Sequence, residues 1–453
     1  MAQPQVTTQS KEKRIKNFNE VSLGFSKKLA SEEARRCPQC PDPVCVKDCP
    51  LGIDIPAFIR FLREGHVASA YDKIKEKNPL PSICGRVCSA PCEVACVLKE
   101  EGGVVIAIRA LERHSADYGK SRAAKRESQY NGKKIAVVGS GPSGLSSSVD
   151  LTRRGYAVTI FEALDKPGGV LRYGIPEFRL PRKILDSEIN DIKTLGVKIE
   201  TNFFIGQTAT LGELFKEGFA AVLIATGAGI PKFMDIPGTH WGGVYYGEEF
   251  LMRLNLMRPG VFSRQSPNFA LGEHVAVIGS GNTALDCARV CRRYGRKVTL
   301  LFRRSEVEML VRAEERGYAR EEGIQFEPLV RPVEILADQH HFVNGLKCVR
   351  MDYADADVVG QWELAPVPDS EFVLDVDTVI CAIGHKPNAL ISHFDPALKI
   401  NKDGTLKVDG ESGLTTIPGV FACGNVVSNA GPLVAAMASG IEAAQRIDAY
   451  VKK

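Results

Sequence analysis

The stretch "KIAVVGSGPSGLSSSVDLTRRGYAVTIFE" (residues 134–162) recurs in altered form as "HVAVIGSGNTALDCARVCRRYGRKVTLLF" (residues 274–302). In both copies an apolar strand leads into a glycine turn, a helix and a second strand, with the same spacing from first glycine to last residue. A glycine turn in this setting places the pyrophosphate of a dinucleotide at a helix N-terminus. The sequence therefore predicts an α/β fold with two Rossmann-like dinucleotide-binding domains.

The first copy has the features of an FAD site. Gly139 makes the tight turn, Gly141 lets the backbone approach a pyrophosphate, and Gly144 lets the helix pack on the strand. Glu162 ends the second strand and is suited to accept hydrogen bonds from an unphosphorylated ribose. The glycine- and proline-rich segment 164–181 and the strand-then-glycine segments 222–228 and 377–388 favour FAD at this site. The residues expected to bind FAD are Gly139, Gly141, Pro142, Ser143, Gly144, Glu162, Gly169, Val170, Arg172, Ala225, Thr226, Gly227, Gly424 and Asn425.

The second copy has the features of an NADPH site. Apolar Phe302 takes the position of Glu162, and Arg303 and Arg304 follow it. A carboxylate there would repel a 2′-phosphate, whereas guanidinium groups bind one through charge-assisted hydrogen bonds. NADH is the weaker alternative for the ligand. The other alternative is that the two arginines are ordinary surface residues and bind no nucleotide. The residues expected to bind NADPH are Gly279, Gly281, Asn282, Thr283, Ala284, Arg303 and Arg304.

Eight of the thirteen cysteines fall between residues 37 and 96. Their spacing is Cys37-x2-Cys40-x4-Cys45-x3-Cys49-Pro50, followed by Cys84-x3-Cys88-x3-Cys92-x3-Cys96. The first run is typical of a ferredoxin string, while a zinc site would usually repeat CxxC or add a nearby pair of histidines. We therefore predict iron–sulfur ligation, with zinc as the alternative. The other five cysteines are expected to be buried and unreactive: Cys287, Cys291, Cys348, Cys381 and Cys423.

Length and composition bound the remaining possibilities. A chain of 453 residues predicts two or three domains, and 44% hydrophobic with 25% charged residues is typical of a globular protein. A net charge of +4 is too small to indicate nucleic-acid binding. The sequence has neither an apolar run long enough for a membrane span nor a secretory signal, so we expect a cytoplasmic protein.

The motifs divide the chain into three predicted domains. A helical iron–sulfur domain covers residues 1–125, and its residues 1–36 are expected to form a solvated helical lead-in. The polar, basic stretch 119–134 is predicted to be a linker. The discontinuous FAD-binding domain takes 126–260 and 376–453, and the NADPH-binding domain takes 261–375.

The arrangement resembles the two-dinucleotide flavoprotein family that includes glutathione reductase. Within it, the cysteine block followed by "VVGSGPSGL" and "GGVLRYGIPEFRLP" is similar to the small subunit of NADPH-dependent glutamate synthase. Its kin are the large subunit of NADH-dependent reduced ferredoxin:NADP oxidoreductase, sulfide dehydrogenase and the N-terminal half of dihydropyrimidine dehydrogenase. The resemblance runs from about residue 20 to residue 448. Asn425 and Ser89 depart from it, since the family usually has Asp, bonded to the flavin ribityl chain, and Pro there.

The resemblance also implies how the cysteines divide between two [4Fe–4S] clusters. One cluster would take Cys37, Cys40, Cys45 and Cys96, and the other would take Cys49, Cys88, Cys92 and a carboxylate from Glu112. Cys84 would then ligate neither cluster. The alternative for Glu112 is an ordinary exposed carboxylate on a helix.

Together these features predict an oxidoreductase that passes hydride between NADPH and FAD, and single electrons between FAD and two clusters. No catalytic side chain is assigned, because hydride transfer requires only that nicotinamide and flavin meet. The resemblance implies a hetero-oligomer whose partner is a glutamate synthase large subunit or a small flavin/iron–sulfur subunit. The alternatives are a stand-alone reductase of a small acceptor such as sulfur or polysulfide, and a non-catalytic scaffold.

Overall fold

A computed structural model describes residues 4–100, 102–120, 129–257, 271–355, 362–428 and 431–453. Half of the predicted linker, residues 121–128, and the predicted boundary at 260/261 lie outside these ranges. The strands are β1 (Thr7–Thr8), β2 (Ser22–Gly24), β3 (Lys134–Val138), β4 (Ala157–Phe161), β5 (Lys198–Glu200), β6 (Phe219–Ile224), β7 (Ile230–Pro231), β8 (Val244–Tyr246), β9 (His274–Ile278), β10 (Lys297–Phe302), β11 (Gln325–Pro328), β12 (Val330–Ala337), β13 (Val343–Asp355), β14 (Trp362–Pro366), β15 (Phe372–Leu374), β16 (Thr378–Cys381), β17 (His385–Lys386) and β18 (Val420–Ala422).

The helices alternate with these strands after residue 134 and dominate before it. In chain order they are α1 (Lys11–Arg14), α2 (Lys27–Arg36), α3 (Val44–Lys47), α4 (Ile55–Arg63), α5 (Val67–Lys75), α6 (Pro81–Val87), α7 (Pro91–Val94), α8 (Ile108–Tyr118), α9 (Pro142–Arg153), α10 (Val170–Tyr173), α11 (Arg182–Thr194), α12 (Leu211–Lys216), α13 (Gly247–Met257), α14 (Asn282–Arg293), α15 (Ala313–Glu321), α16 (Ile391–Phe394) and α17 (Leu433–Val451). Short 3-10 turns occupy Val97–Lys99, Glu306–Glu308 and Gly424–Val426.

A five-stranded parallel sheet forms the core of the first dinucleotide unit, in the order β18-β6-β3-β4-β5. Its central strand β3 is apolar and almost wholly buried after its first residue, as expected for a parallel strand covered on both faces. The helices α9 and α17 pack together beside it. The carboxyl ends of β3, β6 and β18 therefore meet at one edge of the sheet.

A second five-stranded parallel sheet has the order β11-β10-β9-β16-β8. An antiparallel sheet of β12 to β15 adjoins it. The strand pairing differs from the predicted division at 260/261 and 375/376, because β8 and β16 hydrogen-bond within this second sheet rather than the first. Neither strand leads into the glycine motif of the two dinucleotide copies, so the sequence pattern did not reveal which sheet they would join.

The N-terminal helices surround the cysteines, and the segment before them is exposed or half-buried over most of its length but anchored by a few buried residues. The prediction of a solvated lead-in holds for Lys11, Lys27 and Lys28, which are exposed. It is wrong at Arg14, Val21 and Phe25, which are each at most 2% exposed. Arg14 forms ion pairs with Glu321 and Glu322 of the second dinucleotide unit, at 2.7 and 3.1 Å. One charge of this segment, that of Arg14, is therefore buried in ion pairs with another part of the chain.

The helix α17 is apolar and rich in small residues, and this composition lets it approach the first dinucleotide unit closely. A Cβ atom at Gly440 would lie 2.3 Å from the carbonyl oxygen of Ser143 on α9. Among the helices that the structure describes, none combines the length and apolar content that a bilayer crossing requires.

Candidate functional site

The first glycine turn has the geometry that the motif predicts. Gly139 has φ of 102°, and a Cβ there would meet the carbonyl oxygen of Ala225 at 2.7 Å. A Cβ at Gly144 would lie 2.0 Å from the carbonyl oxygen of Gly139, so the helix can pack this closely only on glycine. Gly141 faces open space, which leaves its backbone accessible to a pyrophosphate.

Three further segments close around this turn. A Cβ at Gly169 would lie 2.9 Å from Cα of Gly141, and one at Gly424 would lie 2.7 Å from Oγ of Ser143. After β6, the hydroxyl of Thr226 donates to the carbonyl of Asn388 at 2.8 Å. The structure thus brings the predicted residues together at one sheet edge, from Pro142 at the start of α9 to Ala225, Gly227 and the turn after β18.

The polar residues predicted for this site already have partners in the chain. The Glu162 carboxylate is buried and accepts from the backbone N–H of Ser140 at 3.0 Å, from the Ser140 hydroxyl, and from the N–H of Leu164 at 2.9 Å. These contacts hold the carboxylate beside the glycine turn. Ser140 was not predicted, since a serine between two glycines carries no signal of its own.

Arg172, Val170 and Asn425 lie at the rim of the first site. The Arg172 guanidinium pairs with Asp186 and donates to the carbonyl of Pro167 at 2.7 Å. Val170 is 52% exposed. The Asn425 amide exchanges two hydrogen bonds with the backbone of Gly431, donating to its carbonyl at 3.3 Å and accepting from its N–H at 3.1 Å.

The second glycine turn has the same design in the second sheet. Gly279 has φ of 139°, and its Cβ would lie 2.3 Å from the carbonyl oxygen of Ala382, just after β16. Gly281 faces open space, and Asn282 begins α14. The strand of segment 377–388, which we expected to favour FAD at the first site, therefore closes the second turn instead.

The remaining residues of the second turn and its arginine pair differ in burial. Ala284 is fully buried on α14, and Thr283 lies against α13 near Gly247. Arg303 and Arg304 are both exposed where β10 ends. Among the described residues no hydrogen bond or ion pair engages either guanidinium, although Arg304 lies near enough to Glu308 to help lower the pKa of that carboxyl.

The four thiols predicted for the first cluster line one pocket. Cys37, Cys40 and Cys45 are half-buried, and Cys96 is buried. Burial, together with the neighbouring thiols of Cys37, Cys96 and Cys40, raises the pKa of Cys45 to about 12. Gln39 adopts a left-handed backbone conformation, with φ of 56°, and its amide donates to Sγ of Cys37 at 3.4 Å.

The second predicted ligand set lines a separate, deeper pocket. Cys49, Cys88, Cys92 and Glu112 are all buried around it. Burial raises the pKa of Cys88 to about 12 and that of Glu112 to about 8. The backbone N–H of Ala90, where φ is 55°, donates to Sγ of Cys88 at 3.3 Å. The exposed-carboxylate alternative for Glu112 does not hold, because its side chain faces these thiols from inside.

Asn78 orients the Glu112 carboxylate. Its amide donates to Oε1 of Glu112 at 2.6 Å and accepts from the N–H of Leu80 at 2.9 Å, and Asn78 is fully buried. Sequence reasoning missed this residue, although its position directly before "PLP" at the start of a cysteine-bearing helix could have drawn attention to it. A hydrogen bond of this kind fixes a metal-ligand carboxylate in one orientation.

The spread of the thiols suits a cluster better than a single ion. Within the described ranges no group of three or more His, Cys, Asp or Glu side chains is close enough to hold one metal ion. A four-iron cluster takes one ligand at each iron, so its ligands surround a volume rather than a point. The donor set of thiols plus one carboxylate in apolar pockets therefore fits iron–sulfur clusters better than zinc.

The cysteines that were not predicted as ligands are all buried. Cys84 is 2% exposed, lines the second pocket and contacts Sδ of Met437 on α17 at 3.5 Å. The five later cysteines are likewise buried, as predicted, and burial raises their pKa. Cys423 is hydrogen-bonded to Ser143 beside the first glycine turn, but it is buried rather than exposed.

Two family matches divide the chain between its helical N-terminal part and the part that contains the two parallel sheets. Residues 14–124 match the family described as dihydropyrimidine dehydrogenase domain II, 4Fe–4S cluster. Residues 133–443 match the family described as pyridine nucleotide-disulphide oxidoreductase. The first match contains all eight clustered cysteines, and the second contains both glycine turns.

Individual relatives extend over most of the chain. The NADPH glutamate synthase small chain of Azospirillum brasilense is 34% identical, with 97% of this chain aligned to 92% of that protein. The NADP-dependent formate dehydrogenase subunit beta of Moorella thermoacetica is 38% identical over 90% of this chain, which spans 60% of its length. In fold, FprA of Mycobacterium tuberculosis in complex with NADPH is similar, with a TM-score of 0.58 and 18% identity over 72% of this chain and 85% of that one.

Proposed function

Because the chain belongs to the family of the NADPH glutamate synthase small chains, we propose that it is the NADPH-oxidising electron-transfer subunit of a larger enzyme. The predicted family and fold class are confirmed by these matches. The chain is an oxidoreductase of the FAD, NADPH and [4Fe–4S] type. The first glycine turn would hold FAD, which would supply the exchange of a hydride with NADPH and of single electrons with the clusters.

The observation that carries the proposal is the position of α17. At Gly440 this helix lies on Ser143 in the first glycine turn, and at Val434 it lines the second cysteine pocket. One helix therefore contacts both the region that would hold the flavin and the pocket that would hold the second cluster. This supports a direct route for electrons between them.

The side chains at each site have distinct tasks in this proposal. The backbone at Gly141 and the N-terminus of α9 bind the FAD pyrophosphate, and Glu162 binds its ribose. The backbone at Gly281 and the exposed pair of arginines bind the NADPH phosphates. Apolar walls around the cysteine pockets exclude water from the thiolates.

The burial of the two pockets supports an order of electron transfer. The second pocket adjoins α17 and is buried, whereas three of the four thiols of the first pocket are half-buried. The second pocket is then nearer the flavin and the first nearer the surface. A partner subunit would exchange electrons at the first pocket, beside the exposed Val44 and Val94.

Iron analysis tests the cofactor assignment. The purified protein should contain FAD and about eight irons, one for each metal position of two four-iron clusters. Cys88→Ser should remove about half of the iron, while Cys84→Ala, a matched change in the same pocket, should leave the iron content unchanged. Zinc in place of iron, or equal iron loss in both variants, would contradict the assignment.

A second experiment tests the partner. The isolated chain should oxidise NADPH with artificial dyes, and physiological turnover should require a partner protein. Val94→Glu should weaken partner-dependent turnover and leave dye reduction unchanged. Val373→Glu, an equally apolar and exposed position on the distant strand β15, is the control. Full turnover of sulfur or polysulfide by the isolated chain would favour the small-acceptor alternative instead.

A further inference from the structure

Arg109 joins the second cysteine pocket to the NADPH-binding unit. It lies on α8 one turn before Glu112, and its side chain is 9% exposed. One nitrogen of its guanidinium donates to the carbonyls of Gly85 and Arg86, at 3.1 and 3.3 Å, on the helix that leads to Cys88. The other donates to Oε2 of Glu314 on α15 at 2.8 Å.

The backbone around Arg109 is fixed on the cluster side as well. Its own N–H donates at 2.8 Å to Oε1 of Glu93, the neighbour of Cys92. Its Nε is buried and has no hydrogen-bond partner among the described residues. The guanidinium of Arg109 is therefore held between α6 and α15, and its backbone is bonded to α7.

The charge of Arg109 acts on the pocket. Its guanidinium bonds the carbonyls three and two residues before Cys88, and its backbone bonds the residue next to Cys92, so its positive charge lies beside the second ligand set. A buried cation near a cluster stabilises the state that carries one more electron, and net charge is one of the quantities that set cluster potentials. Glu314 partly neutralises this cation from the other side.

We propose that Arg109 is a positioning residue that raises the reduction potential of the second cluster, and that Glu314 makes this potential depend on the NADPH-binding unit. The proposal rests on the proposed function, because it requires a cluster at the second pocket. Arg303 and Arg304 begin the connection from β10 to α15, and Glu314, in the first turn of α15, follows them by about ten residues. A change in the position of that connection at the NADPH site would therefore alter the ion pair between Glu314 and Arg109, and with it the charge near the second cluster.

Redox titration of the full-length holoprotein, followed by electron paramagnetic resonance, tests the proposal. The signal absent from Cys88→Ser identifies the second cluster. In Arg109→Gln the ratio of reduced to oxidised second cluster at the wild-type midpoint should fall on the order of tenfold, or about 59 mV for one electron. Arg109→Lys keeps the charge and should stay close to wild type, and Glu314→Gln should shift the midpoint upward.

The controls separate this effect from a structural one. Arg320→Gln breaks an exposed ion pair with Glu306 on the same domain and should move neither cluster. If Arg109→Gln loses the second cluster, its midpoint cannot be measured. The upward shift of the midpoint expected in Glu314→Gln then tests the proposal. An unmoved midpoint in Glu314→Gln, or equal shifts in Arg109→Lys and Arg109→Gln, would overturn the proposal. Failure of the proposed function is distinct, since the wild-type protein would then lack the second signal.

Discussion

The two glycine turns share one sequence pattern, but they are enclosed to different degrees. Segments after β6, before α10, after β18 and from α17 all approach the first turn, and Gly169, Gly424 and Gly440 permit that approach. The second turn is approached by the end of β16 and the start of α13, and its arginine pair is exposed. Tight enclosure suits a cofactor that stays bound, and an open end suits one that must leave after each turnover.

The largest expected difference between the turns follows from exchanging the third small residue of each glycine motif, which is Gly144 in the first turn and Ala284 in the second. In Gly144→Ala the new Cβ would lie 2.0 Å from the carbonyl oxygen of Gly139, so the helix must move away from the strand. We expect loss of bound FAD and a fall of several kcal/mol in the free energy of unfolding, roughly as for other backbone clashes in a core. Flavin absorbance and thermal unfolding measure both.

The reverse exchange is the control. Ala284→Gly removes a buried methyl group from α14 and should cost about 1 kcal/mol, the usual penalty for glycine in a helix. FAD content should stay at the wild-type level. Equal effects from the two exchanges would show that the first turn is no tighter than the second.

The arginine pair gives the next largest effect. Replacing both Arg303 and Arg304 with Ala removes two charge-assisted contacts, each worth roughly 1.5–3 kcal/mol, so NADPH should bind on the order of a hundredfold more weakly or worse. NADH, which lacks the 2′-phosphate, should bind almost unchanged. Titration of both nucleotides against the oxidised protein measures this. Parallel loss of both affinities would instead assign the arginines to the structure of the β10–α15 connection.

Features that depend on residues close together in the chain could be predicted from the sequence. The turns at Gly139 and Gly279 were found because strand, glycine and helix follow one another directly in the chain. The pairing of β8 and β16 with the second sheet, and the burial of Arg14, depend on contacts between residues far apart in sequence. Asn78 and Arg109 were missed for the same reason, since their partners lie 34 and 205 residues away.

The smallest expected effect concerns Asn425, where the family that this chain resembles usually has Asp. The Asn425 amide both donates to and accepts from the backbone of Gly431. An aspartate would keep the bond from the Gly431 N–H but would place a charged oxygen against its carbonyl. Asn425→Asp should therefore lower the free energy of unfolding by about 1 kcal/mol, the net worth of one hydrogen bond.

A matched asparagine sharpens that last prediction. Asn131 makes the same kind of pair, donating to the carbonyl of Arg154 and accepting from the N–H of Lys133, but it is exposed. Because water replaces a lost hydrogen bond at the surface, Asn131→Asp should cost less than Asn425→Asp in the same chemical denaturation experiment. If Asn425→Asp leaves the free energy of unfolding unchanged and tightens FAD binding, the loop does not require the amide. The first turn would then tolerate either residue at position 425, as the more open second turn tolerates alanine at position 284.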